Sequence, residues 1–330
     1  MVTSLSVPAF ADEALQAEVG ASLVAVEEML FSSVKSDYLF VTETAQHLMA
    51  AGGKRFRPML VFVASQFGDS TAPGLVEAAT AIELTHLATL YHDDVMDEAV
   101  LRRGTPAAHV RWTNTVAILT GDFLFSRASE ITAELGAEPI RILSRTLAVL
   151  CEGQIRESVG PGPGEDAVEH YLQVLGEKTG ALIASSGRLG SLLSGADPSV
   201  VEVLTRYGEL IGIAFQISDD LLDITSDSPE SGKTPGTDLR EGVHTLPVLY
   251  ALEGEPASSR LFSLLAGDLA DEERLGETLG LLRAHPAIGR ARETLRRYAD
   301  EARTTLDPLP DVPAKEALDA VCDFVVERTR

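Results

Sequence analysis

Two short stretches of this sequence each set three aspartates within five residues: Asp93, Asp94 and Asp97 in HDDVMDE, and Asp219, Asp220 and Asp223 in SDDLLDI. Each follows an apolar helical stretch, IELTHLATLY in the first case and YGELIGIAFQI in the second. Helix residues three and four apart share a face, so each trio gathers carboxylates on one side. Both trios fall toward the C-terminal part of their helices, where the helix dipole disfavours anions. Carboxylates crowded in that setting need cations. The ligands are oxygens alone, with no histidine or cysteine set, so the ion implied is a hard one. Mg2+ fits best, because it takes one or two carboxylates and completes its shell with water and phosphate. Two such trios can hold several ions around a diphosphate. The plainer alternative is a pair of solvated acidic helix ends; their repetition in apolar surroundings makes it the poorer one.

The chain carries 27 Lys and Arg against 50 Asp and Glu, a formal net charge of −23, so a local gathering of basic residues stands out. Gly52-Gly53-Lys54-Arg55-Phe56-Arg57-Pro58 reads as a turn entering a helix, with Pro58 suited to its first position. Lys54 and Arg57 are three apart and can face one way. Arg102-Arg103 precede a Gly-Thr-Pro break, Lys178-Thr179 interrupts a helix, and Lys233 lies in a long polar stretch. Arginine forks and lysine point charges bind diphosphate oxygens. Taken singly, each of these residues is also a plausible surface or helix-end residue. Taken with the two aspartate trios, they make sites for two anionic diphosphates. His86 stands seven residues before Asp93, two turns back on nearly the same face. A lone histidine there is as well explained by core packing as by an anion.

These residues need a scaffold, and the scaffold reads as helical. With 330 residues, 45% of them hydrophobic, the chain can bury a sizeable core. Apolar positions recur at three and four residues nearly throughout, and Gly/Pro punctuation separates the segments. The expected fold is all-α: one large single-domain helical bundle over residues 1–330. The stretch from Ser226 to Asp238 is too rich in Gly, Pro and Ser for helix, and a loop of that length suggests a lid. The strong negative charge argues against nucleic acid and anionic membrane as partners. No apolar run approaches the roughly 18 residues of a spanning helix, and the opening MVTSLSVPAFADE has no basic region followed by an apolar core. Cys151 and Cys322 read as small buried hydrophobes, which suits a reducing cytoplasm.

The motifs GGKRFRP, HDDVMDEAVLRRG, GDFLF, EKTG, FQISDDLLD, GKTPGTDL and TLP occur in this order over about residues 50–250. In them the chain resembles the trans-isoprenyl diphosphate synthase (polyprenyl synthetase) family, most of all its medium- and long-chain members. The resemblance implies the type I isoprenoid synthase fold, a helical bundle around a central cavity, usually homodimeric. It implies a Mg2+-dependent prenyltransferase that condenses an allylic diphosphate with successive isopentenyl diphosphates. Carried over by motif position, Lys54, Arg57, His86 and Arg103 would bind isopentenyl diphosphate. Arg102, Lys178, Thr179, Gln216 and Lys233 would hold the allylic diphosphate. Asp93, Asp97 and Asp219 would be the main metal ligands, with Asp94, Asp220 and Asp223 in support. Two positions depart from the usual pattern: Val243 stands where the family often has Lys, and His109 where it often has Asn. Neither touches the aspartate motifs. A terpene cyclase would not need the GGKRFRP site. A His-Asp phosphohydrolase, suggested by His92-Asp93, would need further upstream histidines. A non-catalytic subunit would not keep both aspartate motifs.

Product length turns on the helix before Asp93. Ala81, Leu84, Thr85 and Ala88 form one stripe there. In short-chain members of the family a bulky aromatic at the fourth or fifth position before the first aspartate blocks the growing chain. Here those positions are Thr89 and Ala88, both small. The aspartate motif also lacks the two-residue insertion of bacterial farnesyl synthases. The reading is therefore a long product, of the kind that anchors a respiratory quinone in a bilayer core about 30 Å thick. The floor then lies deeper, at Phe123 or Phe125. A geranylgeranyl or farnesyl product is the alternative.

Overall fold

Alanine and leucine at helical spacing carry the chain into helix almost throughout. The computed structural model describes residues 10–226, 235–267 and 269–329. In chain order the helices are α1 (Glu13–Ser33), α2 (Leu39–Ala50), α3 (Phe56–Ser65), α4 (Leu75–Met96), α5 (Ala108–Arg111), α6 (Asn114–Glu134), α7 (Ala137–Val159), α8 (Ala167–Leu175), α9 (Ala181–Leu193), α10 (Pro198–Thr225), α11 (Thr237–Arg240), α12 (Leu246–Gly254), α13 (Arg260–Leu265), α14 (Glu272–Ala284), α15 (Ala287–Thr305) and α16 (Pro313–Glu327). A two-stranded antiparallel hairpin, β1 (Leu101–Arg102) and β2 (Thr105–Pro106), follows α4. Gly176–Gly180 forms a π-helical turn between α8 and α9. The fold is all-α, as expected from the sequence. Helix starts are set by short polar side chains: Asp12, Thr113, Asp166 and Asp271 each accept from a backbone N–H of the first turn.

The chain divides into two compact units. The first holds the residues up to Leu150, Ala181–Glu209 and Thr305–Val321; the second holds Cys151–Gly180, Leu210–Thr304 and the residues from Cys322 onward. In the first, α4 packs against α1, α3, α6 and α9. It is apolar nearly all round, which is the pattern of a helix buried on all sides, and Ile82, Leu84, Leu87 and Tyr91 are fully enclosed. The Tyr91 hydroxyl resolves its polarity against the backbone of α2, donating to Thr44 O and accepting from Leu48 N. Tyr207 does the same at Leu318 O, 2.8 Å away. In the second unit Ile217, Leu221 and Ile224 of α10 form a buried stripe beside the aspartates, while α12 packs on α8 and α14.

Four details depart from the sequence reading. Helix α3 begins at Phe56, so Pro58 is its third residue; its missing N–H still falls among the first-turn donors that lack helical partners. Cys151 is exposed, because it lies on the outward side of α7, whereas Cys322 is buried as expected. Arg102 and Arg103 sit on a hairpin rather than in a plain break. The polar stretch after Ser226 closes in α11, which already includes Thr237 and Asp238. Among the described residues no helix is long and apolar enough to cross a membrane.

Candidate active site

In the first unit, α4 ends inside the aspartate motif. Asp93 and Asp94 occupy its last turn and Asp97 is its C-cap. Their burial differs: Asp93 is half-buried, Asp94 fully buried and Asp97 exposed. Asp94 Oδ1 accepts from Arg102 Nε at 2.6 Å, while its Oδ2 is buried without a hydrogen-bond partner. Burial pushes the Asp94 carboxyl above its ordinary pKa, against the pull of Arg102. Arg102, expected at the allylic diphosphate, is thus engaged with a metal-motif carboxylate. The hairpin delivers it: Arg103 (φ 53°) and Gly104 (φ 73°) form a left-handed two-residue turn, the kind that matches strand twist.

That turn also aims Arg103 the other way. Its guanidinium donates to Leu48 O at 3.2 Å and to Gly52 O. A Cβ on Gly53 would come within 3.1 Å of it and 2.6 Å of Arg55 Nη1, so a larger residue there would push both guanidinium groups aside. Arg57 and His86 lie beside Arg103. Arg57 Nε is buried and unpartnered, and burial with Arg103 alongside lowers the Arg57 pKa to about 10. His86 is held well below its ordinary pKa, by burial first and then by Arg57, Arg103, Arg55 and Arg102. Lys54 is exposed beside this cluster in sequence. Three of the four residues expected to bind one diphosphate, Arg57, His86 and Arg103, therefore form one basic cluster.

The sequence reading missed what holds that cluster together. Arg55 is engaged by carboxylates, donating to Glu83 at 2.7 Å and clamping Glu27 of α1. Glu83 is 2% exposed, and its charge also favours protonated Arg57 and Arg103. The signal was present: Glu83 is a carboxylate in the middle of an apolar helix, three residues before His86. Gly121 of the GDFLF motif has a similar structural role. His92 Nε2 lies 3.0 Å from Ile118 O, and a Cβ on Gly121 would meet that nitrogen at 2.3 Å. Gly121→Ala is expected to cost about 1–3 kcal/mol by overpacking, read as a lowered midpoint in chemical denaturation. An unchanged midpoint would show that His92 can move aside freely.

Of the chain-length candidates, Thr85 is buried with Oγ1 on Ala81 O at 2.8 Å, and Ala81, Leu84 and Ala88 are fully buried. Thr89 is half-buried, its Oγ1 on His86 O at 2.8 Å. Phe123 and Phe125 are also half-buried, and the Phe125 ring packs edge-on against His92 at 5.6 Å.

In the second unit the last two turns of α10 carry Asp219, Asp220 and Asp223. Asp220 accepts from the Tyr171 hydroxyl and from Gln216 Nε2 at 2.9 Å. Gln216 Oε1 in turn accepts from Thr179 Oγ1 at 3.2 Å, so two expected ligand residues form one chain with the aspartate. Burial and the Asp220 charge hold Tyr171 protonated, well above its ordinary pKa. Asp223 accepts from the backbone N–H groups of Thr237 and Asp238 at 3.1 and 3.2 Å, the opening of α11. Asp219 is paired with Arg328. Lys178, on the π-turn, is paired with Glu157. Val243 is exposed. His109, in the first unit, has a buried Nδ1 without a partner. Lys233 lies outside the described residues.

Among the described residues no three Asp, Glu, His or Cys side chains converge into a closed metal cage. The donors nevertheless fit a hard cation held by one or two carboxylates. They are oxygens only, Asp94 keeps an orphan buried oxygen, and a guanidinium already stands at Asp219 as a substitute positive charge.

The polyprenyl synthetase family model matches residues 39–282. The chain is 48% identical over 319 residues to a nonaprenyl diphosphate synthase of Mycobacterium tuberculosis, covering 96% of this chain and 95% of the relative. A crystal structure of geranylgeranyl pyrophosphate synthase from Corynebacterium glutamicum, complexed with calcium and isoprenyl diphosphate, superposes with a TM-score of 0.87 at 44% identity, over 97% of this chain and 99% of that one. A decaprenyl diphosphate synthase from Rhodobacter capsulatus gives a TM-score of 0.87 at 34% identity, over 96% and 99% of the two chains. A family match over most of the sequence, with relatives alike from end to end, leaves one reading: the chain belongs to the polyprenyl synthetase family and is a trans-prenyltransferase.

Proposed function

We propose that this enzyme condenses an allylic diphosphate with successive isopentenyl diphosphates, using Mg2+, to make a long all-trans polyprenyl diphosphate of the quinone side-chain class. The observation that carries the two-substrate reading is the basic cluster of Arg57, His86 and Arg103. It holds a buried, unpartnered guanidinium nitrogen and is distinct in its chemistry from the aspartate motifs. An enzyme that only ionises one diphosphate has no use for it. The M. tuberculosis and R. capsulatus relatives, a nonaprenyl and a decaprenyl synthase, support the long product.

In this reading Lys54, Arg57, His86 and Arg103 bind isopentenyl diphosphate. Arg57 and Arg103 supply charge, and His86, kept neutral by burial and then by its cationic neighbours, supplies a hydrogen bond. Arg102, Lys178, Thr179, Gln216 and Lys233 orient the allylic diphosphate. Arg102 holds Asp94 through Nε alone and Lys178 holds Glu157 through one contact, so both keep further N–H donors for phosphate oxygens. Asp93, Asp97 and Asp219 are the main Mg2+ ligands, supported by Asp94, Asp220 and Asp223. The ions, when bound, stabilise the charge that develops on the leaving diphosphate. The allylic C–O bond breaks, the double bond of isopentenyl diphosphate attacks the allylic carbon, and a proton is lost to the departing pyrophosphate. The whole chain serves as one polyprenyl synthase domain, consistent with end-to-end relatives. It works as a homodimer, for which the exposed Ile118 and Leu119 of α6 offer apolar surface, and it acts in a cytoplasm that keeps Cys151 and Cys322 reduced.

The test is incorporation of radiolabelled isopentenyl diphosphate into extractable product, with and without Mg2+. Incorporation that needs both an allylic primer and Mg2+ is expected. Consumption of the allylic diphosphate without incorporation would instead mark a cyclase or hydrolase.

A further inference from the structure

The three aspartates of α10 are not equivalent. Asp220 is closed off by two neutral donors, Tyr171 and Gln216, and Asp223 receives the backbone of α11. Both are buried, whereas Asp219 keeps 28% of its side chain accessible. Its partner is Arg328, just beyond the end of α16 and 109 residues away in sequence. Phe215 and Asp219 are four apart on α10, and Phe324 and Arg328 are four apart at the end of α16, so each pair shares a face. The Arg328 guanidinium lies 4.7 Å from the Phe215 ring and 5.8 Å from the Phe324 ring. That box leaves only 14% of the arginine side chain accessible. The segment is tethered from behind, where Arg292 Nε donates to Thr329 O at 3.0 Å.

Arginine and carboxylate frequently pair through two parallel bonds. Arg328 makes one, through Nη2, and its Nη1 is buried with no partner. The contact is therefore one-pronged, on the most accessible carboxylate of its trio, and costs desolvation that the second nitrogen does not recover. The geometry points to Arg328 as a resident counter-cation of Asp219: it occupies the carboxylate in the metal-free enzyme and must leave it for a divalent ion to bind. Arg328 thus weakens metal binding in the resting protein and keeps the carboxylate placed until an ion competes for it. The inference rests on the proposed metal role of Asp219.

The test counts free Mn2+ by electron paramagnetic resonance during titration of the full-length protein with Mn2+ alone. Wild type, Arg328→Gln, Arg328→Lys, Asp219→Asn and the Asp219→Asn/Arg328→Gln double variant are compared, with helical content checked by circular dichroism. Arg328→Gln is expected to bind Mn2+ about tenfold more tightly at one site, and Arg328→Lys to a smaller degree. In the Asp219→Asn background, Arg328→Gln should change nothing. Unchanged or weaker binding in both Arg328 variants, with Asp219→Asn losing a site, would overturn the role of Arg328 alone. Full retention of Mn2+ binding by Asp219→Asn would overturn the metal assignment and this inference with it. A merely structural arginine would lower stability on removal without tightening the metal.

Discussion

Asp93→Ala and Asp219→Ala are each expected to lower turnover by roughly a hundredfold or more while leaving the helical dichroism unchanged. The two residues are the half-accessible members of their motifs, Asp93 in the last turn of α4 and Asp219 near the end of α10. Loss of the Asp93 carboxylate removes a ligand without opening a buried hole, whereas loss of Asp219 also leaves the Arg328 guanidinium without its carboxylate partner and should cost some stability as well. The neighbouring residues provide the contrast. Asp220 is buried with both oxygens engaged, so Asp220→Ala leaves the Tyr171 hydroxyl without its acceptor and frees Gln216 Nε2. Stranding a buried donor costs about 1–3 kcal/mol, so this variant should lose stability together with activity. Asp94→Ala should behave likewise, because it removes the partner of Arg102. Measuring kcat beside the denaturation midpoint separates the two classes. Near-normal turnover in Asp93→Ala or Asp219→Ala would remove that residue from the metal site, and a large stability loss in Asp93→Ala would mean that its role is structural.

What could be read in advance followed from short-range spacing. The three- and four-residue intervals put the aspartates of each trio on one face, the apolar run before each puts them toward a helix end, and α4 and α10 do end there. The helix interruption at Lys178 was visible too, and it is a π-turn, packed so closely on α7 that a Cβ on Gly153 would meet Glu177 Cβ at 2.7 Å. What escaped were pairings between residues distant in sequence. Nothing local says that Arg55 belongs to Glu27 and Glu83, each 28 residues away, so within GGKRFRP the sequence assigns roles to Lys54 and Arg57 and none to Arg55. Nothing local joins Arg328 to Asp219. The hairpin was half legible: Gly104 marks a turn, but Arg103 adopts a left-handed conformation that non-glycine residues rarely take, held there by the acceptors its side chain reaches. Cys151 shows the converse. Its apolar neighbours suggested burial, but which side of α7 faces outward is decided by the packing of other helices.

Replacement of Thr89 by phenylalanine is expected to shift the product from long chains to short ones without abolishing condensation. Thr89 and Ala88 stand four and five residues before Asp93, so a chain growing away from the first aspartate motif along α4 passes them first. The two positions differ in a way the sequence did not show. Ala88 is fully enclosed, whereas Thr89 is half-buried, held only by Oγ1 on His86 O. A phenylalanine at 89 can therefore project into accessible space. At 88 it must displace packed atoms, which costs about 1–3 kcal/mol in a close-packed interior. Ala88→Phe should also shorten the product if the stripe of Ala81, Leu84, Thr85 and Ala88 opens as the chain enters, and its melting temperature then reports how readily the stripe yields. A deeper stop at Phe123 or Phe125 predicts that Phe123→Ala or Phe125→Ala lengthens the product. Phe125 supports the His92 ring, so its replacement should cost some stability as well. The measurement is chromatography of the dephosphorylated products from each variant at matched turnover. A wild-type product of geranylgeranyl length would end the long-chain reading. Unchanged distributions in both Thr89→Phe and Ala88→Phe would place the growing chain on another face, because a bulky ring on either side of this stripe could not leave an adjacent path open.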